Sequence, residues 1–154
     1  MWPESKPQDQ LDGLSAQIQL ASALSPKLFA SIAEQACKRL QVLNRAGHTS
    51  HLNALINAGA WSDAVLALIT LELPAWKMRR LVYEDGEWLC SLTKEPNLPL
   101  SLDDTADATH EVLALAILGA FLEARRRASV RPDGGSSRVP QVRPINAICC
   151  DNFI

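Results

Sequence analysis

Apolar residues recur at helical spacing along the first half of the chain. Spacings of three and four residues between Leu11 and Leu24 predict an amphipathic helix. Ser25 followed by Pro26 is a typical helix start, and the apolar stripe that follows predicts a second helix ending at Gly47. Two shorter helices are predicted over 52–58 and 63–73, capped by Thr49 or Ser50 and by Ser62.

The region 76–93 breaks this pattern and is typical of a β-hairpin. Asp85 and Gly86 separate two strand-like runs, and this dipeptide favours a two-residue type I′ turn. The turn predicts one face, expected to be buried, that pairs Tyr83 with Trp88, Leu81 with Cys90 and Arg79 with Leu92. It predicts another that pairs Val82 with Leu89, Arg80 with Ser91 and Glu84 with Glu87. Because like charges directly opposite each other are unfavourable, a longer loop over 84–87 is an alternative.

The strongest predicted helix runs from Asp104 to Ala128, after an irregular connection over 94–101. Acidic residues crowd its start and Arg125, Arg126 and Arg127 its end, which is the charge order that a helix dipole favours. Its middle, 112–122, is apolar nearly all round, so we expect it to be the central, most buried helix.

These elements predict an α+β, predominantly helical protein. An antiparallel β-hairpin packs against a long C-terminal helix, and amphipathic helices precede it. A lone hairpin is marginal in water, so it must lie on helices or pair with another molecule. We expect a flexible N-terminus over 1–12 and a single domain over 13–128, divided into a helical segment 13–47 and an α-β-β-α core 48–128. A flexible basic tail is expected over 129–154, within which 139–148 is a candidate extra strand.

Charge is distributed unevenly along the 154 residues, whose net charge is −2. Residues 13–123 carry twelve acids and eight bases, whereas residues 124–154 carry two acids and six bases. Only the C-terminal arm is therefore basic, so the protein as a whole is not built to bind a polyanion.

The expected location is the cytoplasm. The N-terminus lacks a charged segment followed by an apolar one, and the longest apolar run, 112–122, is too short to span a bilayer, so no membrane association is predicted. Four cysteines fit that compartment as reduced thiols. The adjacent Cys149 and Cys150 are the one candidate for redox chemistry.

Residues 58–124 resemble small uncharacterised bacterial and phage-associated domains of α-β-β-α order, sometimes called phage ABA sandwich domains. The residues that carry the resemblance are Trp61-Ser62-Asp63-Ala64, Leu73-Pro74-Ala75-Trp76, Glu87-Trp88-Leu89-Cys90 and the last-helix segment 114–120. The resemblance implies a fold and brings no catalytic residue. The N-terminal helical segment and the Cys-Cys tail depart from the pattern.

Two polar clusters are candidates for metal binding or acid–base chemistry. The first contains Asp103, Asp104, Asp107, His110 and Glu111, within two helical turns, where Asp107 would share a face with Glu111 or with His110. The second is the pair His48 and His51, which with Cys37 or with the tail pair Cys149 and Cys150 could form a four-ligand zinc set. The competing interpretations are that acids belong at a helix N-terminus and that loop histidines are solvated, and we assign no catalytic, cofactor or metal residue.

A basic patch is the remaining candidate site. It consists of Lys77, Arg79, Arg80, Arg125, Arg126 and Arg127. With Trp76, Tyr83 and Trp88 nearby, these cations would suit a nucleic-acid backbone while the aromatic rings stack on bases. The competing interpretation places the arginines in surface ion pairs and the rings in the core.

The leading hypothesis is a small non-enzymatic protein-interaction module. It would bind a protein partner or self-associate, through the hairpin edge or the N-terminal helices, because unpaired strand edges and uncovered apolar stripes attract partners. A nucleic-acid-binding regulator that uses the strand and tail arginines is one alternative. A minor metal-dependent enzyme is the other.

Overall fold

The computed structural model describes residues 6–130, with side chains to residue 128. Within that range it has six helices and three strands, which confirms the α+β, mostly helical class. The elements in chain order are α1 (Pro7–Leu20), α2 (Pro26–Ala36), α3 (Lys38–Arg45), α4 (Ser50–Asn57), α5 (Trp61–Glu72), β1 (Lys77–Glu84), β2 (Glu87–Thr93), β3 (Ala106–His110) and α6 (Leu113–Val130). In the described part of the chain, no helix is long and apolar enough to cross a membrane.

Helix α6 is the centre of the core, as its apolar sequence predicts. It packs on one face of the sheet through β2 and β3, and on helices α1 and α5. Five of its large side chains have almost no exposed surface: Leu115, Ile117, Leu118, Phe121 and Leu122. Gly119 allows close contact with β3, since a Cβ at this position would lie 3.0 Å from the Cβ of Ala108.

The predicted helix over 104–128 is wrong in its first part, because residues 106–110 form strand β3. This strand pairs antiparallel with β2, so the sheet has three strands in the order β1-β2-β3. Ala106 and His110 are buried while Asp107 and Thr109 are exposed, which is the alternation of a strand with one buried face. The third strand also supplies the extra pairing that an isolated hairpin needs.

The predicted helix between Ser25 and Gly47 is interrupted at Cys37. The expected start is confirmed, because the Ser25 Oγ accepts a 3.2 Å hydrogen bond from the backbone N–H of Leu28 and Pro26 is the first helical residue. Cys37, however, has φ −120° and ψ 69°, which is not helical, and it separates α2 from α3. The break depends on side chains from distant helices, described below.

The N-terminal boundary also differs from the expected one. Helix α1 begins at Pro7, and Leu11 is only 5% exposed, so the expectation of a flexible segment is wrong for residues 7–12. At the other end, α6 continues to Val130, beyond the expected domain boundary at 128. Residues 1–5 and most of the predicted tail, including 139–148, Cys149 and Cys150, lie outside the described residues.

The predicted hairpin turn is confirmed by its backbone angles. Asp85 has φ 54° and Gly86 has φ 82°, as a type I′ turn requires at both central positions. The predicted pairs from Arg80 to Glu84 all form, including Glu84 opposite Glu87. Arg79 does not pair with Leu92, because a bulge brings Met78 opposite Leu92 instead.

The face of the hairpin that was expected to be buried is buried in part. Cys90 and Leu92 are fully covered, and Leu81 and Trp88 are half-buried. Tyr83 is 58% exposed, so its expected place in the core is wrong. It lies on the outer strand beside the turn, where its ring contacts that of Trp88 at 5.1 Å between centroids.

Replacing Gly86 with valine tests the turn. A β-branched residue resists positive φ, so we expect Gly86→Val to lower the free energy of unfolding by about 1–3 kcal/mol in urea denaturation. Gly86→Asn is the matched control, because asparagine tolerates this conformation and should cost much less. Equal stability of the valine and asparagine variants would contradict the turn.

Candidate interaction surface

The hairpin turn determines which backbone groups of β1 bond to β2. The residues that flank a two-residue turn exchange both their N–H and C=O hydrogen bonds, and bonded pairs then alternate with non-bonded pairs along the ladder. Since Glu84 pairs with Glu87 at the turn, Glu84, Val82 and Arg80 bond to β2. The N–H and C=O groups of Leu81 and Tyr83 therefore point away from β2.

The outer edge of β1 is open. Strand β1 is at the end of the sheet and pairs with β2 alone. Within residues 6–130, the backbone groups of Leu81 and Tyr83 make no hydrogen bond outside the β1–β2 ladder. The bulge beside Arg79 bounds this edge on one side, and the turn at Asp85 bounds it on the other. The open edge is thus residues 80–84.

Helix α1 contacts the opposite edge of the sheet, formed by β3, near the end of that strand. The Nε2 amide of Gln19 donates a 3.4 Å hydrogen bond to the carbonyl oxygen of Thr109, a β3 group that points away from β2. The buried ring of His110 joins the same elements. Its Nδ1 accepts from the N–H of Val112 at 2.9 Å, which leaves Nε2 to donate to the carbonyl of Ile18 at 3.0 Å. The β3 edge is thus occupied in part, at Thr109, while the exposed Asp107 of the same edge has no backbone hydrogen-bond partner outside the β2–β3 ladder within residues 6–130.

Arg79 fastens the loop that connects β2 to β3. Its guanidinium donates to Asp103 Oδ2 at 2.8 Å and to three backbone carbonyl oxygens of the loop, those of residues 95, 96 and 98. The hydroxyl of Thr93 donates to the same carboxylate oxygen at 2.6 Å and accepts from the N–H of Glu95 at 2.9 Å. Arg79, one of the predicted basic-patch residues, therefore stabilises the loop between β2 and β3.

The arginines of α6 also bind groups of the same chain. Arg126 pairs with Asp12 of α1 and with Glu123. Arg127 pairs with Asp104 and with Glu123. Arg125 Nε donates a 3.0 Å hydrogen bond to the backbone oxygen of Ala36. Of the six predicted basic residues only Lys77 and Arg80 are exposed, and the other four bind groups of the same chain.

The predicted acidic cluster is dispersed, because its residues follow a loop and a strand instead of a helix. Asp103 accepts a hydrogen bond from Arg79, Asp104 pairs with Arg127, and His110 is buried against α1. Asp107 and Glu111 are exposed. The expectation that Asp107 shares a helical face with Glu111 or His110 is wrong, because residues 106–110 form a strand.

The two loop histidines are exposed. His48 and His51 lie beside Asp63 in a shallow surface groove of about 510 Å³ between α4 and α5. Among residues 6–130, no group of three or more histidine, cysteine or acidic side chains is placed to hold a metal ion.

The two described cysteines are buried and free. Burial raises the pKa of the Cys37 thiol, and the nearby Glu72 carboxylate raises it further while Arg125 opposes the shift. Burial and then Asp107 raise the pKa of Cys90 to about 12. Both thiols are therefore protonated at neutral pH, which makes them poor nucleophiles and metal ligands.

The break at Cys37 is held by two charged side chains that sequence reasoning did not connect with it. The buried carboxylate of Glu72 accepts hydrogen bonds from the N–H groups of Leu40 at 2.8 Å and Arg39 at 3.4 Å, which caps the N-terminus of α3. The Nε of Arg125 donates a hydrogen bond to the carbonyl oxygen of Ala36, at the end of α2. Both helix ends at the break are thus satisfied from α5 and α6.

The apolar stripe of the first helix is covered within the chain. Leu11, Leu14 and Ile18 are buried, and α1 packs on α6. An open groove of about 310 Å³ remains between α2, α3 and α4, lined by apolar residues that include Phe29, Leu40 and Leu52.

Comparison with known proteins gives no match to a family model, a curated protein or a solved structure. The resemblance to phage ABA sandwich domains therefore stays a prediction.

Replacing Glu72 with alanine tests the cap across the break. The amides of Leu40 and Arg39 would lose their acceptor in a buried place, so we expect Glu72→Ala to cost about 1–3 kcal/mol of unfolding free energy. Glu72→Gln keeps an acceptor oxygen and should cost less. A urea midpoint for Glu72→Ala equal to the parent value would show that the cap contributes nothing.

Proposed function

We propose that this protein is a non-enzymatic interaction module that binds an extended segment of protein along the open edge of β1. The observation that carries the proposal is that the N–H and C=O groups of both Leu81 and Tyr83 point outward from the end of the sheet, on a regular stretch of strand bounded by a bulge and a turn. An edge strand with unpaired N–H and C=O groups is a template for strand addition. The partner supplies matching backbone groups in extended conformation.

The side chains at this edge suit a protein partner. Tyr83 offers an exposed ring, Val82 is half-buried on the opposite face, and Arg80 and Glu84 flank them with opposite charges. In strand addition the main chain supplies affinity while alternate side chains supply selectivity. The bulge and the turn restrict the register, because they limit the regular ladder to residues 80–84.

The arrangement of the arginines favours this proposal over nucleic-acid binding. Four of the six predicted cations already contact acidic groups or carbonyl oxygens of the same chain. A phosphate would have to displace those contacts to gain its own. The excess of acids over bases in residues 13–123 opposes a polyanion further. The free thiols of Cys37 and Cys90 suit the reducing cytoplasm, which we retain as the proposed location.

Proline at position 83 tests strand addition. The N–H of Tyr83 points away from β2. Tyr83→Pro therefore removes a donor from the open edge and leaves every hydrogen bond between β1 and β2 in place. We expect peptides selected from a random display library on the wild-type protein to lose binding to Tyr83→Pro by tenfold or more, measured by titration calorimetry.

Two variants serve as controls for this experiment. Tyr83→Ala removes the same ring but keeps the N–H, so it should bind the peptides better than Tyr83→Pro. Val82→Pro removes a hydrogen bond to β2 and should lower the melting temperature. The melting temperature of Tyr83→Pro should lie close to that of Tyr83→Ala. Selected peptides that bind Tyr83→Pro as tightly as Tyr83→Ala would contradict the proposal.

A further inference from the structure

We infer that the segment bound at the β1 edge is the β1 strand of a second copy of this chain, antiparallel and centred on Val82. This inference rests on the proposed function and names the partner. In this arrangement Leu81 of one copy lies opposite Tyr83 of the other, and the reverse pair forms by symmetry. The result is a continuous sheet in the order β3-β2-β1-β1-β2-β3.

The backbone groups satisfy this pairing. Leu81 and Tyr83 are the positions of β1 whose N–H and C=O groups point outward. A two-fold axis beside Val82 places each of them opposite the other residue in the second copy, so both pairs exchange two hydrogen bonds. The pairing uses residues 80–84 alone and does not require the bulged part of the strand.

The charges select this register. With Leu81 opposite Tyr83, Arg80 of each copy lies opposite Glu84 of the other. Opposite charges directly across a strand pair are favourable, and this pair occurs twice. Within one chain Glu84 already lies opposite Glu87, a like-charge pair. The Arg80 of the second copy would lie on the free side of Glu84 and offset that repulsion.

The alternative symmetric registers are less favourable. Pairing Leu81 with itself places Val82 opposite Arg80 and uses the bulge at Arg79. Pairing Tyr83 with itself places Val82 opposite Glu84 and extends the ladder into the turn at Gly86. Neither arrangement places Arg80 opposite Glu84, and each places a charged residue opposite an apolar one.

The apolar residues agree with the same register. Tyr83, which is 58% exposed in the single chain, gains Leu81 of the second copy as its cross-strand neighbour. On the opposite face Val82 meets Val82, which extends the apolar row that Val82 forms with Leu89. The pairing uses the β1 edge of both copies, and the outer edges of the joined sheet are the β3 edges, where α1 bonds Thr109.

Charge reversal tests the partner and the register together. We expect the wild-type chain to dimerise with rising concentration in sedimentation equilibrium. Arg80→Glu and Glu84→Arg should each weaken self-association by roughly tenfold or more, because both inter-copy pairs become repulsive. An equimolar mixture of these two variants should form a heterodimer, since each facing pair is again of opposite charge. The double variant Arg80→Glu/Glu84→Arg should dimerise like the wild type.

Lys27→Glu and Glu111→Arg are the matched controls, because they reverse exposed charges away from the β1 edge and should leave the dimer unchanged. The formation of a heterodimer also shows that the two charge variants are folded. A wild-type chain that stays monomeric overturns this inference. So does a dimer that survives the single reversals, or a mixture that does not associate. If selected peptides still distinguish Tyr83→Pro from Tyr83→Ala while the chain is monomeric, the proposed function stands without the self-pairing.

Discussion

The structure depends on covering helix α6, whose middle is apolar on nearly every side. A helix of this kind is stable in water only when other elements surround it. The sheet covers one side, and helices α1 and α5 pack on others. Contact with the sheet is close because Gly119 lets the helix backbone approach Ala108 of β3. The positions of β2 and β3 are therefore set by this helix, and β1 follows by pairing with β2.

The same packing makes the two edges of the sheet unequal. Helix α1 must lie on α6 to bury its own apolar stripe, and this brings Gln19 and Ile18 against β3 and satisfies groups on that edge. No element of residues 6–130 plays the equivalent part at β1. The open β1 edge is consequently a product of how the core is covered, and the outward backbone groups of both Leu81 and Tyr83 stay without a partner within residues 6–130.

Local signals in the sequence predict some of this structure, and distant contacts determine the rest. The hairpin and its register were predictable because Asp85 and Gly86 favour one turn geometry, which fixes the pairing around it. The break at Cys37 was not, because it depends on Glu72 of another helix. Strand β3 was missed because acids before an apolar run also mark a helix start. For the candidate site, the sequence indicated a hairpin edge, but only the pairing of β3 with β2 shows that β1 is the hairpin strand left at the end of the sheet.

Amide hydrogen exchange along β1, followed residue by residue as protein concentration rises, tests the central claim most directly. At low concentration the amides of Leu81 and Tyr83 should exchange rapidly, while those of Val82 and Glu84, which bond to β2, are protected. At high concentration Leu81 and Tyr83 should become protected together. Equal protection of all these amides at low concentration would contradict the open edge. Alternating protection that never changes with concentration would contradict the pairing of two copies.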